Sequence, residues 1–321
     1  CALPIWAAFV TSGDVTNPLV CTAGATSPEE SAVDKLKLAI SNGGTVQLTE
    51  DIEISETLLV TRDVTLDLNG CTLRMTGTGS VLKVSGRATL TIQDSSAEGT
   101  GTITGGNAED GGGVYVEAHA TLEMTGGCIT GCRAEDGGGV YIDNNATLKM
   151  TGGCITDCHA SYGGGGIYSY ENLYMGGTAK IEKCTSKWGS DDAIWNRERC
   201  NIYADGGTVD GTVNNQGTIR RSEGAAAETV FNGTVYNRSA GTIKAGRYNE
   251  TVENNGTITG GTFWGTVTNK KSAWGNEAGT ISGGTFAVRF DTGDGTKPEP
   301  TPVEHNRTVL RPTSDPEKSG H

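Results

Sequence analysis

The chain has 321 residues, with 25 Lys and Arg against 38 Asp and Glu for a net charge of −13, a balance that argues against nucleic acid or an anionic membrane as partner. No apolar run reaches the roughly 18 residues of a membrane-crossing helix. The 49 glycines keep register with the apolar pattern, so they mark bends rather than low complexity.

Residues 1–26 hold Cys1 and Cys21, which could pair, and show no clear period. Ala2 to Val10 is apolar but too short and lacks the basic flank of a signal peptide. An opening Cys1 fits a cut fragment or a lipid-bearing mature terminus; no lipobox is visible, which favours the fragment. Residues 27–43 predict one helix. Ser27-Pro28-Glu29-Glu30 reads as its capping box, Val33, Leu36 and Ile40 share a face, and Gly43-Gly44 stops it. The helix is expected to cover the open end of a sheet.

Residues 44–204 predict a solenoid. Thr45 to Leu48, Val64 to Leu68 and Ala88 to Ile92 are early strands, and from Thr102 one phrase is repeated four times: TITGGNAEDGGGVY, CITGCRAEDGGGVY, CITDCHASYGGGGIY and KIEKCTSKWGSDDAIW. Ile103, Ile129, Ile155 and Ile181 recur every 26 residues. Such a period marks coils that bury their apolar side by stacking on one another. The apolar positions alternate with period two, as in Leu90/Ile92, Leu122/Met124, Leu148/Met150 and Leu173/Met175, so the elements are strands. Three short strands per coil, joined by Gly-rich bends, give an all-β parallel β-helix whose equivalent positions form ladders. In residues 205–290 the units become GTI, GG-x-F and GTV-x-N, with Gly217, Gly241, Gly256 and Gly279 spaced by 24, 15 and 23, and the cross-section is expected to narrow. Residues 291–321, with Lys297-Pro298-Glu299-Pro300-Thr301-Pro302, read as a linker or disordered tail.

Alternation puts Tyr115, Tyr141, Tyr168 and Trp195 on one outward row, which could stack on sugar rings or a protein, or could lie covered. A second row holds Asp110, Asp136, Tyr162 and Trp188, with Glu109 and Glu135 beside its acidic half. These carboxylates could share a Ca²⁺ ion, although the spacing is not that of a dedicated calcium loop and solvated turns are the simpler reading. Asp191-Asp192 replace glycines of the preceding repeats. A paired carboxylate on a β-helix could serve glycan hydrolysis, but no companion motif accompanies it, and a surface turn is the plainer expectation.

Nine cysteines include two ladders, Cys128/Cys154 and Cys132/Cys158/Cys184. Stacked interior thiols or disulfides between neighbouring coils would both fit. For zinc the sequence offers only His159 beside Cys158 as a hint.

GGGVY followed by ATLxMTGGxITxC, together with LDLNGxTL at Leu66 to Leu73, resembles the pectate-lyase-like, right-handed β-helix adhesive domains of surface proteins in gut Firmicutes and methanogenic archaea; the likeness covers residues 27–290. Chlamydial polymorphic membrane proteins are more distantly similar. The resemblance implies an exported, cell-envelope-associated module with no catalytic motif to transfer. It also leaves open the redox state of Cys132, Cys158 and Cys184, where relatives carry Asn or Thr.

The expectation is therefore a non-enzymatic surface adhesin. It would contact a glycan or glycoprotein of a host or a neighbouring cell, such as mucin or secreted immunoglobulin, through Tyr141, Tyr162, Tyr168, Trp188 and Trp195. The alternative is a carbohydrate-active β-helix enzyme using Asp191 and Asp192, and any cofactor would be Ca²⁺ at Glu109, Asp110, Glu135 and Asp136.

Overall fold

A computed structural model describes residues 31–187, 192–269 and 279–288, and the backbone of 301–304. The expected Cys1–Cys21 pair, the Ser27 box, Trp188, Asp191 and most of the expected tail lie outside these residues. One helix, Ala32–Asn42, opens the described chain. Ser31 is its N-cap, accepting from Asp34 N at 3.1 Å and donating to the Asp34 carboxylate at 2.7 Å, so the start lies one turn later than the Ser27 box predicts. Gly43 ends it with φ 79° and donates to the carbonyls of Ala39 and Ile40, a left-handed stop that suits glycine. Leu36 and Ile40 are buried against Val46, Leu48 and Ile52. Each such side chain contributes about 2 kcal/mol, and together they close the first coil.

The remainder is a parallel β-helix, save that Thr301–Glu304, inside the expected linker or disordered tail, is a strand pairing antiparallel with Thr285–Val288. One inward row runs unbroken from coil to coil through Ile52, Leu73, Ile103, Ile129, Ile155, Ile181, Val209, Phe231, Tyr248, Phe263 and Phe286. The predicted inward pairs Leu122/Met124 and Leu148/Met150 are fully buried.

A middle coil has four sides rather than the expected three: Thr121–Met124, Cys128–Thr130, Arg133–Asp136 and Val140–Ile142. The extra third side pairs with its equivalents at His159–Gly163 and Thr185–Ser186, and through single bridges with Asn107 and Asp110 of the preceding coil. Its inward residues are the small Ala134, Ala160 and Ser186, which leave no apolar alternation to read in the sequence. Beyond Ser186 this side is not continued among the described residues, and the coils narrow. The inward row then changes from aliphatic to aromatic, with Phe231, Tyr248, Phe263 and Phe286 stacked at 4.9 to 5.0 Å between centroids. A Cβ on Gly261 would lie 3.1 Å from the Tyr248 ring and 3.2 Å from Phe263, so the bends beside these rings require glycine.

The GTV-x-N units supply a second internal row. Asn196, Asn215, Asn237 and Asn254 are buried, and each Nδ2 donates to the Oδ1 of the next at 2.7 to 2.8 Å, ending on Asn269. The cysteine ladders divide by face. Cys128 and Cys154 form a disulfide on the outside of the second side, whereas Cys132, Cys158 and Cys184 are buried thiols. His159 faces away from Cys158 and bonds the Thr185 hydroxyl at 2.9 Å, so the two do not form one ligand set.

Candidate functional site: an acidic and phenolic corner

Between the third and fourth sides the chain turns on three glycines. Gly137 adopts φ 65°, and a Cβ there would lie 2.5 Å from Val140 O. The turn folds the two sides toward each other. The ring of Trp195, outward on the fourth side, lies over Gly163 of the third, where a Cβ would stand 2.8 Å from Trp195 Cε3.

The fourth side carries the predicted aromatic row in register, Tyr115 to Tyr141 to Tyr168 to Trp195. Tyr141 and Tyr168 are parallel at 5.7 Å, and Tyr168 and Trp195 lie 12° from parallel at 6.2 Å. Their faces are occupied by one another. Tyr168 is only 6% exposed, so the row does not form an open platform for a sugar ring. What the row offers outward is ring edge and phenol.

Each strand places a further residue on the same face two positions on, giving Glu117, Asp143, Tyr170 and Arg197. Tyr170 packs against Tyr141 and Tyr168 at 5.8 and 5.5 Å. Arg197 lies 4.9 Å over the Tyr170 ring and donates to Tyr168 OH at 3.1 Å, while Tyr115 OH donates to Asp143 at 3.4 Å. Sequence reasoning passed over Asp143, Tyr170 and Arg197, although the period-two step from each outward aromatic identifies them.

On the third side Asp110 and Asp136 are in register. Their neighbour on the next coil is Gly163, because a bulge between Ala134 and Asp136 shifts the pairing. Tyr162, expected in this row, is displaced to solvent and is 53% exposed. Burial, then the nearby Asp136 carboxylate, pushes Asp110 up to about 6. Burial also raises Asp136, against a hydrogen bond from Gly163 N at 3.2 Å and the charge of Arg197. Tyr115 is pushed up to about 12, first by burial and then by Asp143 and Asp110. Tyr141 and Tyr168 are raised by burial, then by Asp110 and Asp136 respectively. The corner is therefore a half-buried strip of phenols and carboxylates with one guanidinium.

Glu109 and Glu135, the expected companions of the acidic pair, are exposed. Among the described residues no three His, Cys, Asp or Glu side chains converge as a metal centre requires. Asp192 is not on a surface turn. It is 4% exposed, accepts from Gly164 N at 3.0 Å and Asn214 Nδ2 at 3.4 Å, and is raised by burial against a bond from Ser186. Its oxygens brace the turn that glycines make in the preceding coils.

No family model, no curated protein and no solved structure matches the chain.

Proposed function

We propose that the chain is a non-enzymatic binding scaffold of the cell exterior, an adhesin-type module that holds a hydroxyl-rich glycan or glycoprotein along the corner of Asp110, Asp136, Tyr141, Tyr170 and Arg197. The observation that carries this reading is the alignment of acceptor carboxylates and phenols on consecutive coils, about 4.8 Å apart, in a half-buried strip. Repeating hydrogen-bonding groups suit a polymer that runs along the solenoid, with edge contacts from the stacked rings excluding water. The Cys128–Cys154 bridge fits an oxidising compartment, and the Gly-Gly coils keep the resemblance to envelope-associated β-helix adhesive domains. Immobilised glycans, mucin and secreted immunoglobulin should be screened with the native chain and with Arg197→Met and Asp110→Asn/Asp136→Asn. Binding that survives both variants unchanged removes the corner from the proposal.

A hydrolase reading keeps one observation in its favour: Asp110 holds its proton to about pH 6 beside a second carboxylate, as an acid and base pair would need. It rests on this pair rather than on Asp191 and Asp192, since Asp192 is enclosed by its hydrogen bonds. Release of reducing ends from polysaccharides by the native chain, lost in Asp110→Asn, would favour it over simple binding.

A further inference from the structure

Cys132, Cys158 and Cys184 occupy the same corner on three consecutive coils, because the residues immediately after them, Arg133, His159 and Thr185, are direct pairing partners. All three are buried, at 0%, 0% and 1% exposure, and all three point inward. The thiols hang alike from the corner, Cys132, Cys158 and Cys184 donating to the carbonyls of Thr130, Thr156 and Glu182 at 3.5, 3.3 and 3.3 Å. On the same pair of coils, four residues earlier, Cys128 and Cys154 stand 4.6 Å apart at Cα and are bridged. Adjacent coils of this solenoid thus lie at a spacing that a disulfide spans, about 4.4 to 6.8 Å. Cys132 and Cys184 are two coils apart, about 9.6 Å by the strand spacing, and are out of reach of each other.

We propose that Cys158 is the site of a second disulfide, made with either Cys132 or Cys184 but never both, so that one thiol of the three always remains. The step is a thiol–disulfide exchange with a small-molecule disulfide. The thiolate of one outer cysteine attacks the donor, forms a mixed disulfide and releases one donor thiol. The Cys158 thiolate then displaces the second donor thiol. The protein pair loses two electrons, the donor gains two, and the two protons leave on the released thiols. The finished coil encloses all three sulfurs, so exchange belongs to the time before neighbouring coils close.

The test is refolding of the reduced full-length chain in a glutathione redox mixture, and then peptide mapping without reduction. The native chain should yield a Cys158 cross-link to Cys132 or Cys184 in addition to Cys128–Cys154. Cys132→Ala should leave only the Cys158–Cys184 link, Cys184→Ala only Cys132–Cys158, and Cys158→Ala neither. Oxidant added to the already folded chain should act about tenfold more slowly than during refolding. A native chain that refolds with all three thiols free, or a Cys132–Cys184 link in Cys158→Ala, overturns the proposal. The native-chain map does not depend on any variant folding.

Discussion

Asn215 donates its Nδ2 to Asn237 Oδ1 at 2.8 Å, and Asn237 passes the same bond to Asn254 at 2.7 Å, both from buried side chains. The row satisfies amides that burial would otherwise leave costly, and each bond polarises the next. Asn237→Ala would strand the Asn215 donor and the Asn254 acceptor together, at a cost of about 3 kcal/mol. Asn249 makes a similar bond, donating to Asn232 at 2.7 Å, but on the exposed face. Asn249→Ala should cost about 0.5 kcal/mol or less. Urea melts of the two variants separate burial from bonding; equal losses would show that the row contributes nothing special.

The LDLNG motif has a parallel explanation. Asp67 is 4% exposed and accepts from Asn69 N at 3.0 Å and Ser95 N at 2.9 Å. Burial pushes its carboxyl up, but the bonds from Ser95, Gln47 and Gln93 outweigh it and leave the group below its ordinary value. A depressed folded value stabilises the fold above about pH 4, and that contribution is lost as acid takes the pH down through the folded value. Asp67→Ala should cost about 2 kcal/mol at neutral pH and should flatten the fall in stability below pH 4. Chemical denaturation at a series of pH values reads both; an unchanged acid limb would contradict the assignment.

Asp110 has the opposite sign. Its folded value stands near 6, raised by burial and by Asp136, so its proton binds the folded state more tightly and its contribution is lost as pH rises from about 4 to about 6. Asp110→Asn removes that loss. After allowance for its partial exposure it should stabilise the chain at pH 7 by about 1 kcal/mol and leave it nearly unchanged at pH 4. A variant less stable than the native chain at both pH values would mean that the carboxylate is held by a partner rather than repelled.

The solenoid was legible because one alternation and one spacing recur through Ile103, Ile129 and Ile155, and each step fixes both strand face and coil. The same arithmetic placed Tyr115, Tyr141, Tyr168 and Trp195 in one row. It could not show that the rings stack on each other, since that depends on the inward-folded corner. The corner depends in turn on a third side built from alanines and charges, with no periodic signal. Tyr162 was misplaced for a related reason: a one-residue bulge beside Asp136 reverses the face on which the next residues of the strand lie. Asp192 looked like a surface departure from glycine. Its burial comes from backbone N–H groups and Asn214, which converge only once the coils stack.

Two glycines of the corner, Gly139 and Gly163, provide the sharpest test of that geometry. At Gly139 a Cβ would lie 2.6 Å from Ile155 Cγ2 and 2.7 Å from Gly166 O, a backbone atom of the next coil. Neither can move without separating coils, so Gly139→Ala should cost about 3 kcal/mol. At Gly163 the nearest atom, 2.8 Å away, belongs to the Trp195 ring, which can tilt. Gly163→Ala should therefore cost about 1 kcal/mol while changing Trp195 emission, read as the difference from the same pair carrying Trp195→Phe. A large loss at Gly163 with unaltered emission would mean that the ring does not rest on that strand, and the corner with its row of phenols and carboxylates would have to be redrawn.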